Sequence, residues 1–224
     1  MNEDRLEPYV TPHNIAAKTK EWLAGIAPVN THRMCLAVPN SALLVVDMQR
    51  FFADPAGKGY LACTAAIMPN LRQLLKVFRR APRPVIYTRH AHHRQMLDAG
   101  IMVRWWKENI VEGTPESEVI AELAPRATEK VVTKHRYSAF FDTDLATVLR
   151  CLEIEDLVIC GVMTNMCVES TARDAYFRDY RSLIPADATG APTEEMHCAS
   201  LLNLAYGFAW VTTTAAIVQQ VEKD

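Results

Sequence analysis

The stretch LVICGVMTNMCVESTARDA, Leu157 to Ala175, decides how this chain folds. Its first residues, 157–160, form a short continuous apolar run, the pattern of a strand buried on both faces. Gly161 ends the run, and the polar turn GVMTNM follows. Helical spacing takes over near Cys167. Strand, tight turn and helix in this order make half of a βαβ unit. The stretch also carries two cysteines, Cys160 in the strand run and Cys167 at the expected mouth of the helix. Buried cysteines commonly act as small packing residues. A thiol at a helix N-terminus is instead placed to react as thiolate. Position alone leaves both readings open for Cys167.

The same alternation extends outward in both directions. Apolar runs recur at 42–46, 84–88, 130–133, 157–160, 181–185 and 208–213. Helical patterns lie between them: IMPNLRQLLKVFRR, TPESEVIAEL with a capping signal at Thr114, DTDLATVLRCL, and TEEMHCASLLNLAY starting at Thr193. Strands alternating with helices predict an α/β fold, a three-layer sandwich with a six-stranded, mostly parallel sheet and helices on both faces. The domain is expected over 41–224. Residues 1–40 read as a helical arm before it, with Thr11 as cap, Pro12 in the first turn, and Ile15, Thr19, Trp22, Leu23 and Ile26 on one face. Such an arm is expected at an interface of a symmetric homo-oligomer, with packing on its own domain as the alternative.

Composition narrows the function classes. Of 224 residues, half are hydrophobic and 22% charged, and the net charge is -2, which argues against nucleic acid or a membrane surface as partner. The opening MNEDRLEPYV lacks the apolar core of a signal peptide, so a cytoplasmic protein is expected. The six cysteines include no CxxC pair, which disfavours a structural zinc site, and most are expected as free thiols. No glycine-rich turn follows ALLVV (42–46), which disfavours a dinucleotide oxidoreductase.

In open parallel sheets ligands bind beyond the carboxyl ends of the strands. Asp47 directly follows the first run, Arg89 and His90 the second, Lys134 the third, and Cys167 follows the fourth by its turn. An acid, a base and a thiol at one edge make chemical sense together. A carboxylate takes the thiol proton and returns it to a leaving amine, while an ammonium favours the thiolate. The turn amides after Gly161 are suited to hold an oxyanion. Each residue taken singly has a plainer reading: a turn Asp, a solvated Lys, a packing Cys.

Three segments carry a resemblance that favours the reactive reading: ALLVVDMQRFF (42–52), VVTKHRYSAFFDTDL (131–145) and CGVMTNMCVESTARDA (160–175). From about Ser41 to Thr214 the chain resembles the isochorismatase-like cysteine hydrolase superfamily, which includes nicotinamidases, N-carbamoylsarcosine amidases and ureidoacrylate amidohydrolases. The resemblance implies a catalytic triad of Asp47, Lys134 and Cys167. It implies an oxyanion hole from the amides of Met163 and Cys167, and a cis peptide between Val162 and Met163. It further implies hydrolysis of a small amide, carbamoyl or ureido compound through a thioester on Cys167. An isochorismatase-type ether hydrolase, which as a rule lacks the cysteine, is the alternative. A non-catalytic or thiol-redox protein on the same fold, the latter using Cys160 and Cys167, is another.

The irregular stretch 89–113 is expected to shape the pocket. Candidate substrate contacts are Phe52, Arg89, His90, Trp105, Trp106 and Tyr137. Adjacent Trp105 and Trp106 are expected to divide their roles, and Arg89 either meets a substrate carboxylate or pairs with Asp98 or Glu112. Nicotinamidases of this resemblance carry a metal site written Asp-x-His after the second strand. Here the matching positions read His90-Ala91-His92, followed by His93, and no third ligand stands at a convincing spacing. No metal and no other cofactor are expected. His197 and Cys198 read as structural.

Overall fold

The computed structural model describes residues 8–223. Residues 1–7, the acidic start on which the expectation of no signal segment rests, and Asp224 lie outside that range. Strands β1 (Ser41–Val46), β2 (Val85–His90), β3 (Lys130–Lys134), β4 (Asp156–Val162), β5 (Arg181–Pro185), β6 (Thr189–Gly190) and β7 (Trp210–Thr212) form one seven-stranded sheet. Its order is β3-β2-β1-β4-β5-β7, with β6 beside β4, and every pairing is parallel. The strand not expected is β6: two residues are too short to leave an apolar run. Every residue of β1 and β4 is buried, so both faces of the sheet's centre are covered, as parallel sheets require.

The helices are α1 (Ile15–Ile26), α2 (Arg50–Ala53), α3 (Thr64–Arg80), α4 (Met102–Trp105), α5 (Leu145–Cys151), α6 (Glu169–Tyr176), α7 (Glu194–Gly207) and α8 (Thr214–Val221). Thr193 caps α7, its hydroxyl accepting from Met196 N. The segment TPESEVIAEL departs from expectation. It forms two short 3₁₀ turns, Pro115–Ser117 and Ala121–Leu123. Its backbone groups pair across to the segment after β1: Arg50 N donates to Glu118 O, Ile120 N to Met48 O, and Gln49 Nε2 to Ser117 O. A long-range ladder has replaced the local helix that the capping signal announced.

The arm also differs from expectation. Helix α1 starts at Ile15 without a side-chain cap, because Thr11 is held in a turn by Asn14 Oδ1. Its apolar face, Thr19, Trp22 and Ile26, is buried against this same chain, with Trp22 Nε1 donating to Glu194 Oε1 of α7 at 2.8 Å. This is packing on its own domain, the alternative set beside a subunit interface. Among the described residues no helix is long and apolar enough to cross a membrane.

Candidate active site

The strand order fixes where side chains can meet. The chain leaves β1 toward β2 and β3, then crosses back to β4 on the other side of β1. The crevice at this reversal lies at the carboxyl ends of β1 and β4. Asp47 follows β1 at once, with φ +48, in the left-handed region that Asp tolerates better than most residues. Lys134 ends β3, one strand further out than β2. Only a long side chain spans β2 from there, and the lysine stem does.

The result is a closed, buried cluster. Lys134 Nζ lies 2.7 Å from Asp47 Oδ2, and both side chains are fully buried. Lys134 Nζ also donates to Cys167 Sγ at 3.3 Å and to Arg136 O at 3.1 Å. Thr88 on β2 donates its hydroxyl to Asp47 Oδ1 at 2.6 Å, which fixes the carboxylate's rotation. Apart from its ion pair with Lys134, Asp47 Oδ2 has no partner of hydrogen-bonding geometry among the described residues. Sequence reasoning did not single out Thr88. Its signal was faint, a polar residue inside an apolar strand run.

Cys167 does not open the α-helix. It lies in a π-helical turn, Thr164–Val168, and α6 follows at Glu169. π turns are rare and collect at functional sites. The turn curls around Met163, whose carbonyl accepts from Met166 N and Val168 N. The Val162-Met163 peptide is cis. Gly161 is required just ahead of it: at φ +105, any Cβ would sit 2.1 Å from Val46 O on β1.

The electrostatics change one expectation. Burial pushes the Cys167 thiol up to about 12, and the Lys134 charge offsets only part of that, because Asp47 acts against it. Burial therefore opposes the thiolate that Lys134 favours, which leaves the thiol proton to be taken by a base. Burial pulls Lys134 down, but Asp47 and Cys167 outweigh it and hold the ammonium above its usual range. Cys160 is the packing cysteine. It is fully buried in β4, with its thiol pushed up by burial alone.

The remaining candidates separate. Arg89 ends in a surface ion pair with Glu112 at 3.0 Å, and its Nε donates to Thr133 Oγ1. This is the pairing with Glu112 that the sequence offered as the alternative to a substrate carboxylate. Trp105 is 70% exposed, whereas Trp106 is half-buried and donates Nε1 to Tyr137 Oη at 2.9 Å. Phe52 is half-buried, edge-on to Phe51 at 4.9 Å between ring centres. His90 is buried, with Nε2 at 2.9 Å from His92 Nε2. Burial and then Lys134 push His90 well below the usual histidine range, so it is neutral.

The spacing showed no third partner for His92, yet the fold supplies two. His92, Asp98 and His135 bring potential ligand atoms within 4.8 Å of one another. Asp98 and His135 lie on different loops, which sequence spacing cannot relate. The donor set would suit a divalent ion. Its atoms, however, are already engaged: His92 Nδ1 with Asp98 Oδ1 at 3.2 Å, Asp98 Oδ2 with His93 N at 3.0 Å, and His135 Nδ1 with Ala91 O at 2.7 Å. A proton on His135 Nδ1 satisfies that carbonyl, and a metal on that nitrogen would have to displace it.

Comparison with known proteins identifies the fold that carries this cluster. The isochorismatase domain matches residues 41–216. The chain belongs to the isochorismatase family. Within this family it is 38% identical over 179 residues to nicotinamidase 3 of Arabidopsis thaliana, covering 77% of this chain and 86% of that protein. It is 34% identical over 198 residues to a ureidoacrylate amidohydrolase of Caulobacter segnis, covering 78% and 83%. A cysteine hydrolase from Pseudomonas syringae pv. phaseolicola superposes with a TM-score of 0.83 at 34% identity, covering 85% of this chain and 96% of that one. The chain is a hydrolase of this isochorismatase-like class, and its curated relatives are amidohydrolases.

One stability prediction arises from His197, buried near the turn. Burial lowers it to about 4, against the opposing pull of Glu194. A group whose folded pKa is depressed lends stability above its unfolded value and loses it as pH falls. The loss here runs from about 6.5 down to about 4 and amounts to roughly 3 kcal/mol. Urea unfolding from pH 7 to 4.5 should show that decline, and His197→Gln should flatten it. An equal slope in the variant would assign the decline to other groups.

Proposed function

We propose that this chain hydrolyses the C–N bond of a small amide, carbamoyl or ureido compound through a thioester on Cys167. One observation carries the reading: a single buried ammonium, Lys134 Nζ, lies 2.7 Å from Asp47 Oδ2 and 3.3 Å from Cys167 Sγ. A buried Asp-Lys-Cys cluster at a strand-end crevice costs about several kcal/mol to hold, and clusters held at such cost collect at functional sites.

The cluster geometry and the family resemblance support the following steps. Cys167 Sγ attacks the carbonyl carbon as its proton passes to Asp47. The thiol's high pKa makes that transfer obligatory, because little free thiolate exists near neutral pH. The carbonyl oxygen takes the negative charge and is received by the amides of Met163 and Cys167. The C–N bond then breaks, and the nitrogen leaves with the proton from Asp47 as ammonia or an amine. Water attacks the thioester and gives its proton to Asp47. The C–S bond breaks, the acid departs, and Asp47 returns the proton to sulfur. Lys134 pairs with Asp47 and offsets the charge on sulfur between steps. No step uses a metal. Trp106 and Tyr137, joined by their hydrogen bond, are the substrate-side contacts we favour over Arg89 and Trp105.

An ammonia-release screen over small amides, ureas and carbamoyl amino acids tests this directly. At least one class should turn over, at a rate unchanged within about twofold after dialysis against a chelator, since nucleophile and base are both protein groups. Loss of turnover on chelation, restored by a divalent ion, would move His92, Asp98 and His135 into the mechanism.

A further inference from the structure

The family match begins at residue 41, and the arm lies ahead of it. Yet the arm reaches the π turn through one buried ring. Trp22 of α1 sits edge-on to His197 of α7, with ring centres 4.5 Å apart at 66°. Trp22 is itself held. Its Nε1 donates to Glu194 Oε1 at 2.8 Å, and Lys18 Nζ donates to Glu194 Oε2 at 3.2 Å. Tyr9 packs against both rings, and its hydroxyl accepts from Ala191 N at 3.2 Å.

On its other side His197 meets the turn. Its Nδ1 shares a 2.9 Å hydrogen bond with Thr164 Oγ1, and both side chains are fully buried. Thr164 is the first residue of the π turn that contains Cys167. His197 Nε2, turned toward the Ala186 carbonyl, has no partner of hydrogen-bonding geometry among the described residues. The ring is thus oriented by a hydroxyl on one side and an indole on the other. Two further bonds tie α7 to this region: Ser200 Oγ donates to Glu169 Oε2 at 2.5 Å, and Asn165 Nδ2 to Met196 Sδ at 3.5 Å.

We propose that His197 is a positioning residue, wedged between Trp22 and Thr164, through which the arm holds the turn that aims Cys167 Sγ and the Met163 amide. The proposal rests on the cysteine-hydrolase reading above. Close-packed interiors pass on displacement instead of absorbing it. A misplacement of about 1 Å at a reacting atom costs roughly 100-fold in rate. A ring fixed from both sides is therefore enough to link an element outside the family domain to the nucleophile.

The test is a coupling measurement on the full chain, with the best substrate from the screen. Thr164→Val removes the hydroxyl and keeps the volume. It should lower kcat about tenfold with KM within about twofold, the loss of an interaction made only in the transition state. Thr164→Ser, which restores the hydroxyl, should recover most of that loss. Trp22→Leu should lower kcat similarly, and the double variant should fall no further than the worse single one, because both act through one ring. An unchanged kcat in Thr164→Val, or fully additive losses in the double variant, would overturn the proposal. If Trp22→Leu does not fold, the Thr164→Val and Thr164→Ser pair decides alone.

A second readout needs no amide. Iodoacetamide labelling of the Cys167 peptide, followed by mass spectrometry, should speed up by the same factor in Thr164→Val and Trp22→Leu as the turn loosens, and no further in the double variant. Unequal or additive factors count against the proposal. Failure of every amide in the screen would sink the hydrolase reading alone, and the labelling would still decide the positioning claim.

Discussion

Cys167→Ala is expected to abolish amide hydrolysis, by about 10⁴-fold or more, while leaving the fold intact. In the proposed scheme the sulfur is the atom that forms and breaks the bond, and neither buried thiol nearby is placed to replace it. Cys160 points its sulfur to Leu44 O inside the sheet. Cys63 donates to Ala191 O and is held protonated by burial. Removing one buried sulfur atom should cost about 1 kcal/mol of stability, so circular dichroism and urea unfolding should stay near the parent values. Cys167→Ser keeps the shape but presents a hydroxyl, a far weaker nucleophile without a stronger base, and should be similarly inactive. Retention of full activity in either variant would rule out the covalent scheme. The same pair separates the thiol-redox alternative, which would require Cys160 to react from a position with no solvent exposure.

Asp47→Asn should have the second largest effect, with a distinct pH signature. The amide cannot accept the thiol proton, so the variant reacts only through whatever thiolate forms unaided. Its activity should lie about 10³-fold below the parent near neutral pH and rise about tenfold per pH unit. The rise should level off at the thiol's own pKa, which loss of the carboxylate brings below about 12. The sign follows from the cluster: Asp47 raises the thiol and Lys134 lowers it, so removing Asp47 leaves the lowering partner. The variant also leaves Lys134 buried without its carboxylate. Breaking such a pair from one side costs roughly 3–5 kcal/mol, which urea unfolding should register. A pH profile parallel to that of the parent would show that Asp47 is not the base.

The sequence was informative where chemistry and periodicity coincide. Asp47, Lys134 and Cys167 each fall just at or after a strand run, and their order along the chain places them at one edge of a parallel sheet. Glycine at 161 was legible as a turn, and its reason is now physical: Val46 O leaves no space for a side chain. The strand centres were readable because parallel strands buried on both faces are continuously apolar. Local signals failed where long-range pairing outweighed them. TPESEVIAEL has a capped helical start, yet its backbone bonds go to the segment after β1. Arg89 looks like an anion binder in isolation, and two glutamates from a later loop claim it.

What the sequence by itself determined is the fold class, the family and which three residues are proposed to react. These depend on residue type and on spacing along the chain. Only the tertiary structure decided the state of those groups and what surrounds them. That the lysine is buried and paired, that burial raises the thiol, that Asp98 and His135 join His92, and that an N-terminal tryptophan reaches the turn through His197 all depend on distances between residues far apart in the chain. Burial and Coulomb interaction act through space, and sequence separation carries no record of them.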